Sequence, residues 1–187
     1  MPLTKLDPKT ALIIVDLQKG IVALPTAHAT ADVVKRAVAL AEAFRRHRLP
    51  VVLVTVGGAP GGRTEQTHSA GQFPAGWADL IPELNQQPGD HTVVKRTWGA
   101  FTGTDLDAYL KKTGSTQVVI AGIATSIGVE STARHAHEHG LNVTLAVDAM
   151  TDMNADAHAN SVARIFPRLG ETGTTQEIID LLNRGRA

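Results

Sequence analysis

Short apolar runs recur along the chain, and between them apolar residues return at the spacing of helices. Five runs are almost continuous in aliphatic residues: ALIIVDL (11–17), VVLVTV (51–56), TVVK (92–95), QVVIAG (117–122) and NVTLAVDA (142–149). A strand covered on both faces needs apolar side chains at successive positions, whereas a half-exposed strand alternates. The pattern therefore predicts five strands in a sheet that is buried on both sides.

Helical patterns lie between and after these runs. The predicted helices cover Thr30–His47, Thr104–Lys112, Ser126–His139 and a last segment from Thr174 through Leu182. Leu49-Pro50 and Gly140 are typical helix stops, Thr104 and Asp107 are a predicted cap, and Thr174 with Glu177 matches a capping box. Strands that alternate with helices predict a parallel sheet with helices on both faces.

One segment interrupts this regular order. The stretch 57–77, GGAPGGRTEQTHSAGQFPAGW, is rich in Gly, Pro and Ser and is longer than an ordinary strand-to-helix connection. Long loops after strands are often binding loops or lids, and the alternative is an insertion without function. A length of 187 residues suits one compact domain spanning residues 1–187.

Composition excludes several classes of partner and site. The formal net charge is zero, which argues against a nucleic-acid or membrane-surface partner. The chain contains no cysteine, so it has no disulfide, thiolate metal site or cysteine nucleophile. The sequence shows neither a secretory signal peptide nor a run of roughly 20 apolar residues that could cross a membrane. We therefore expect a cytoplasmic protein.

Charged residues end two of the predicted strands, at the edge where parallel α/β sheets bind ligands. Asp16 follows an apolar run, where burial raises a carboxyl pKa and a nearby cation lowers it. Lys95 ends another run and is costly to bury without a partner. An Asp16–Lys95 pair across adjacent strand ends would satisfy both side chains. The alternatives are a turn-capping aspartate and a solvated lysine.

A third feature, VVIAGIATSIGVESTAR (118–134), passes from a buried strand through a small-residue turn into a helix. With Asp16 and Lys95 it resembles the isochorismatase-like hydrolase superfamily, which includes amidases as well as true isochorismatases. The resemblance rests on IIVDLQKG (13–20), VVKRTWGAFTGTDLDAYL (93–110), IAGIATSIGVESTAR (120–134), VTLAVDAMTD (143–152) and FPRLGETGTTQEII (166–179). It implies a three-layer α/β/α sandwich, Rossmann-like, around a six-stranded, mainly parallel sheet.

The resemblance also implies roles for particular residues. Asp16 and Lys95 match the family's catalytic carboxylate and lysine. Ile123–Ala124 falls where the family has a cis non-proline peptide, and the backbone N–H groups of Ala124 and Gly128 would form an oxyanion hole. Gly128 stands where the amidase members carry their cysteine nucleophile. The true isochorismatases resemble this chain in having glycine there.

The missing cysteine decides which chemistry the resemblance implies. Isochorismatases cleave a vinyl ether, in which an acid protonates the enol carbon and water captures the resulting cation. Asp16 would be that acid, with Lys95 and Gly128 completing the catalytic set. The alternatives are a catalytically silent member that binds a small molecule, an amidase-type C–N hydrolase with a non-cysteine mechanism, and a cysteine deliberately replaced by glycine.

Candidate substrate-binding residues surround these positions. Trp98 and Phe101 resemble the family's aromatic wall, although both are also plausible core aromatics. Gln18 is placed to orient a polar group, and Arg63 in the loop to bind a carboxylate. Structural or solvated roles are the alternatives for both.

The resemblance implies no cofactor, a small-molecule substrate, and a homo-oligomer that is a dimer or a tetramer. We predict no metal site, because the family's Asp-x-His motif is replaced by VTVGGAP (54–60). His135 and His139 have metal-compatible spacing, but a solvated helix face is the simpler interpretation. Asp148 is predicted to end the fifth strand and is expected to be structural.

Overall fold

A computed structural model describes residues 3–65 and 73–184. Six strands form one sheet in which every paired neighbour is parallel, in the order β3-β2-β1-β4-β5-β6. The strands are β1 (Thr10–Val15), β2 (Val51–Val56), β3 (His91–Lys95), β4 (Gln117–Ile123), β5 (Asn142–Thr151) and β6 (Glu171–Gly173). The order changes direction at β1, which places the carboxyl ends of β1 and β4 in the middle of one edge.

Helices cover both faces of this sheet. They are α1 (Lys19–Val22), α2 (Thr30–Arg46), a 3-10 turn (Pro82–Leu84), α3 (Leu106–Thr113), a π-helical turn (Thr125–Val129), α4 (Glu130–Glu138), α5 (Ala155–Asn160), a second π-helical turn (Ser161–Ile165), α6 (Phe166–Leu169) and α7 (Thr175–Arg184). Helices α2 and α7 pack on one face, and α3, α4 and α6 pack on the other. The predicted three-layer α/β/α fold is confirmed.

The two cores explain the continuous apolar runs. In β1, Leu12 and Ile14 belong to the core under α2, whereas Ile13 and Val15 belong to the core under α4. Because successive side chains of a strand point to opposite faces, all four must be apolar. The five predicted strands are confirmed. The sixth, β6, is three residues long and lacks an apolar run, and only the family resemblance implied it.

Two helices begin differently from the predicted helices. The predicted helix 126–139 begins as the π-helical turn Thr125–Val129 before α4 continues it. Helix α3 begins at Leu106, whose N–H donates to the Thr104 hydroxyl at 3.3 Å, whereas Asp107 accepts from Lys111. Only the threonine part of the predicted cap is therefore present. The capping box before α7 is confirmed, with Thr174 N–H donating to Glu177 Oε2 at 2.7 Å.

The helical segment 155–169 was not predicted, because its apolar residues are sparse and Pro167 interrupts it. Among the described residues, every helix is too short or too polar to span a bilayer. Residues 66–72 of the predicted binding loop lie outside the described residues. The loop's binding role stays a prediction.

Candidate active site

A buried ion pair occupies the carboxyl edge of the sheet. Asp16 directly follows β1, and its Oδ2 lies 2.7 Å from Nζ of Lys95, the last residue of β3. The two side chains are almost fully buried. The predicted pair therefore forms, but its strand ends are not adjacent, because β2 lies between them. The long lysine side chain reaches past β2 to the carboxylate.

The two carboxylate oxygens of Asp16 have different surroundings. Oδ2 contacts Lys95, whose ammonium also donates to the Thr97 carbonyl at 3.2 Å. Oδ1 is buried and has no hydrogen-bond partner among the described residues. Burial raises the pKa of Asp16 to about 6, and the lowering effect of the Lys95 charge does not cancel it. A protonated Oδ1 can therefore exist near neutral pH, with its O–H directed at no protein group described.

Gly128 lies beside this carboxyl group. The Ile123–Ala124 peptide before the turn is cis, at the position that the resemblance implied. In the π-helical turn, the N–H groups of Ile127 and Val129 both donate to the Ala124 carbonyl. A Cβ placed on Gly128 would lie 3.3 Å from Asp16 Oδ2 and 3.0 Å from Val15 Cγ1. A side chain at position 128 would therefore be in close van der Waals contact with the carboxyl group.

Asp152, which the sequence pattern did not single out, forms hydrogen bonds to this turn. Asp152 is buried, and its Oδ2 accepts both the N–H and the O–H of Ser126 at 2.8 Å. The fifth strand is predicted to end at Asp148, but β5 continues to Thr151, directly before Asp152. The strand-end aspartate beside the site is therefore Asp152. The polar pair Thr151-Asp152 after an apolar run was the available signal.

The chain matches a known protein family over most of its length. A family model described as the isochorismatase domain matches residues 10–177. The chain belongs to the isochorismatase family. Members of this family are hydrolases, and the chain is a hydrolase.

Similar proteins cover almost the whole chain. It is 42% identical to the uncharacterized isochorismatase family protein YwoC of Bacillus subtilis strain 168, over 92% of this chain and 93% of that protein. It is 39% identical to the uncharacterized isochorismatase family protein YecD of Escherichia coli O157:H7, over 92% and 96% respectively. A solved structure of an isochorismatase family protein from Burkholderia thailandensis is similar with a TM-score of 0.92 and 41% identity, over 96% of this chain and 98% of that chain.

Gln18 has a structural role in this isochorismatase-family fold. Its side chain is fully buried, its Oε1 accepts the Val56 N–H at 2.7 Å and its Nε2 donates to the Val56 carbonyl at 3.1 Å. Both ends of the amide are therefore occupied by the backbone of β2. These bonds tie the segment after Asp16 to the end of β2, and a contact between Gln18 and substrate stays a prediction.

The aromatic residues after Lys95 separate into two environments. Phe101 packs in the core under α4 and stacks on His139 with ring centroids 5.1 Å apart, and its place in an aromatic wall stays a prediction. Trp98 is 55% exposed, and its carbonyl oxygen lies 3.6 Å from the Cβ position of Gly128. Arg63 is exposed on the loop after β2. Substrate roles for Trp98 and Arg63 stay predictions.

The remaining polar residues have structural partners. Asp148 accepts the N–H and O–H of Thr175 at the start of α7 and pairs with Arg36 at 3.4 Å, so its predicted structural role is confirmed. His139 lies 3.4 Å from Asp107, and His135 meets the edge of the Phe101 ring. Among the described residues, no cluster of three or more His, Asp or Glu has the arrangement of a metal site.

Proposed function

We propose that this chain hydrolyses the vinyl ether of a small enolpyruvyl acid, of the isochorismate type, with Asp16 as the general acid. The observation that carries the proposal is the buried Oδ1 of Asp16, which has no hydrogen-bond partner within residues 3–65 and 73–184. It belongs to a carboxyl group whose pKa burial raises to about 6, beside a residue that has no side chain. A raised carboxyl pKa near neutral pH is what a general acid requires.

Each proposed step uses one proton or one water. The Asp16 O–H gives its proton to the terminal enol carbon, and the ether oxygen supplies electrons to form an oxocarbenium ion. Water adds to that cation and returns a proton to the Asp16 carboxylate. The hemiketal then collapses to pyruvate and an alcohol. Lys95 keeps the carboxyl group in place and faces a substrate carboxylate.

The amidase alternative needs a nucleophile that the site lacks. The chain contains no cysteine. Ser126 is the serine nearest Gly128 along the turn, and its hydroxyl donates to Asp152, a carboxylate at the end of β5. A serine nucleophile requires a base that takes its proton toward the reacting centre. The direction of this hydrogen bond favours a supporting role for Ser126.

The test is a pyruvate-release assay with isochorismate, run beside an ammonia-release assay with nicotinamide and simple amides. Asp16→Asn keeps the shape of the side chain but has no acidic proton. Asp79→Asn makes the same chemical change at an exposed surface pair with Lys19 and is the matched control. We expect pyruvate release by the wild type and by Asp79→Asn, and a loss of at least about 100-fold in Asp16→Asn.

Three outcomes contradict the proposal. Pyruvate release that survives in Asp16→Asn removes the general acid. Ammonia release shows a C–N hydrolase with a different nucleophile. A wild-type protein that binds isochorismate or an amide without releasing product is a silent binding member of the family.

A further inference from the structure

The turn that carries Gly128 is hydrogen-bonded by side chains from the segment after β5. Asp152 forms the first contact, since its Oδ2 accepts two hydrogen bonds from Ser126, one from the backbone N–H and one from the hydroxyl. Its Oδ1 accepts the Asn154 N–H at 3.1 Å. The carboxylate is 3% exposed, so these bonds form away from water and are worth more than surface bonds.

A histidine forms the second contact. His158 Nδ1 lies 2.8 Å from the hydroxyl of Thr125, the first residue of the π-helical turn. Asn154 accepts the N–H groups of Asp156 and Ala157, and this cap fixes the start of α5 between Asp152 and His158. Asp152 and His158, six residues apart, thus contact the neighbouring residues Ser126 and Thr125 of the π-helical turn.

We propose that Asp152 is a positioning residue, which holds the turn Thr125–Val129 so that Gly128 stays closed over the Asp16 carboxyl group. It acts through Ser126 and has no contact with the reacting atoms. The role assigned to Asp16 rests on the proposed function, but the contacts between Asp152 and the turn do not.

The physical consequence is the hydration of Asp16. Its pKa is raised chiefly by burial, and the Cβ position of Gly128 is 3.3 Å from its Oδ2. If the turn moves away, water reaches the carboxyl group, and desolvation no longer opposes its ionisation. The titration of Asp16 therefore reports how closely Gly128 covers it.

Other charges near the two aspartates must be accounted for in such a titration. Asp16 faces the Lys95 ammonium from β3. Asp152 faces His158 from α5, and His158 packs against His28 from the loop before α2 at 4.6 Å between ring centroids. Because removal of any neighbouring negative charge lowers a carboxyl pKa, a variant that removes the Asp152 charge and keeps the Ser126 contacts is required.

The experiment is a carbon-13 NMR titration of the Asp16 carboxyl group in the ligand-free protein, with the resonance assigned by its loss in Asp16→Asn. Asp152→Ala removes the hydrogen bonds and the charge. Asp152→Asn removes the charge and the acceptor of the Asn154 N–H, but its amide oxygen still accepts from Ser126. We expect Asp152→Ala to lower the Asp16 midpoint from about 6 by about one pH unit or more, and Asp152→Asn to stay near the wild type.

The outcomes separate positioning from simple electrostatics. An unchanged Asp16 midpoint in a folded Asp152→Ala protein overturns the proposal, and so does an equal shift in both variants. If Asp152→Ala does not fold, Ser126→Ala removes one of the two bonds and is expected to lower the midpoint by a smaller amount, whereas no shift overturns the proposal. The titration needs no substrate, so a failed pyruvate assay leaves its result interpretable.

Discussion

Asp16 and Gly128 contribute different properties to the candidate site, an ionisable group and the space beside it. Asp16 supplies an ionisable group whose burial costs free energy that the Lys95 contact only partly offsets. Gly128 supplies the space beside it, because even a methyl group there would lie 3.3 Å from Oδ2. A thiol at this position would be a nucleophile, whereas in the proposed reaction the hydrogen atom of glycine leaves the carboxyl group open to the substrate. The absent side chain thus favours proton transfer over covalent catalysis.

The pH dependence of the proposed reaction belongs to Asp16. Burial raises its pKa to about 6, so the carboxyl group is protonated below that pH and ionised above it. Since the acid form transfers the proton, we expect kcat/KM for pyruvate release to fall about tenfold per pH unit above pH 6. Initial rates between pH 5 and 8, with circular dichroism to confirm that the protein stays folded, measure this.

A rate that is level from pH 5 to 8, or that rises through this range, contradicts the assignment of Asp16 as the acid. The direction distinguishes it from a general base, which would be active only when ionised. In Asp79→Asn, the surface control, the profile is expected to match that of the wild type.

At the scale of elements, the segment after β1 joins two parts of the site. Gln18 bonds both backbone groups of Val56, and the Lys19 and Gly20 N–H groups donate to the carbonyls of Asp79 and Trp77. These bonds attach the end of the long loop to the residues directly after Asp16. The described part of the loop is therefore fixed at its carboxyl end by backbone contacts, which composition alone does not reveal.

Gly20→Ala tests this attachment. A Cβ at Gly20 would overlap the indole ring of Trp77, so the ring or the backbone of α1 must move. We expect a loss of about 1–3 kcal/mol in the free energy of unfolding, the usual cost of overpacking. Urea denaturation measures it, and Trp77 fluorescence in a Trp98→Phe background should move to longer wavelength as the indole becomes exposed.

The control for this variant is Gly89→Ala, where no atom lies within 4 Å of the new Cβ. A Gly20→Ala protein with the stability and the Trp77 emission of the Gly89→Ala control would show that the indole does not depend on this contact.

At the scale of the whole molecule, one sheet separates two apolar cores. The strands β1 and β4 lie in the centre of the sheet and contribute alternate side chains to both cores. Neither core can lose its strands without exposing the other, which predicts one cooperative unit. The dimeric or tetrameric assembly that the family resemblance implies remains a prediction for solution measurements.

Matched substitutions on the two faces test this cooperativity. Leu40 of α2 and Leu145 of β5 are both fully buried, one in each core. We expect Leu40→Ala and Leu145→Ala each to lower the free energy of unfolding by about 2–5 kcal/mol while keeping a single transition. Urea denaturation followed by both circular dichroism and tryptophan fluorescence provides the measurement. Two transitions in either variant, or non-coincident probes, would show that the faces unfold separately.

Strand prediction succeeded wherever burial on both faces demanded an unbroken apolar run. Leu12 and Ile13 could be assigned to a buried strand without knowing which residues they contact, because consecutive apolar residues indicate burial on both faces. Prediction failed for β6, where three residues form a strand because β5 pairs with them. It also placed the end of β5 at Asp148, because a charged residue usually ends a buried run. In the fold, Asp148 instead accepts hydrogen bonds from Thr175, and β5 continues to Thr151.

The sequence by itself determined the class of fold, the absence of a cysteine nucleophile, and the strand-end positions of Asp16 and Lys95. These follow from residue type and local order, which hydrophobic periodicity records directly. Only the tertiary structure decided that one Asp16 oxygen has no partner in the described part of the chain, that Gln18 bonds Val56, and that Asp152 bonds the Gly128 turn. Each of these depends on distances between residues far apart in the chain, and burial and hydrogen bonding are set by those distances.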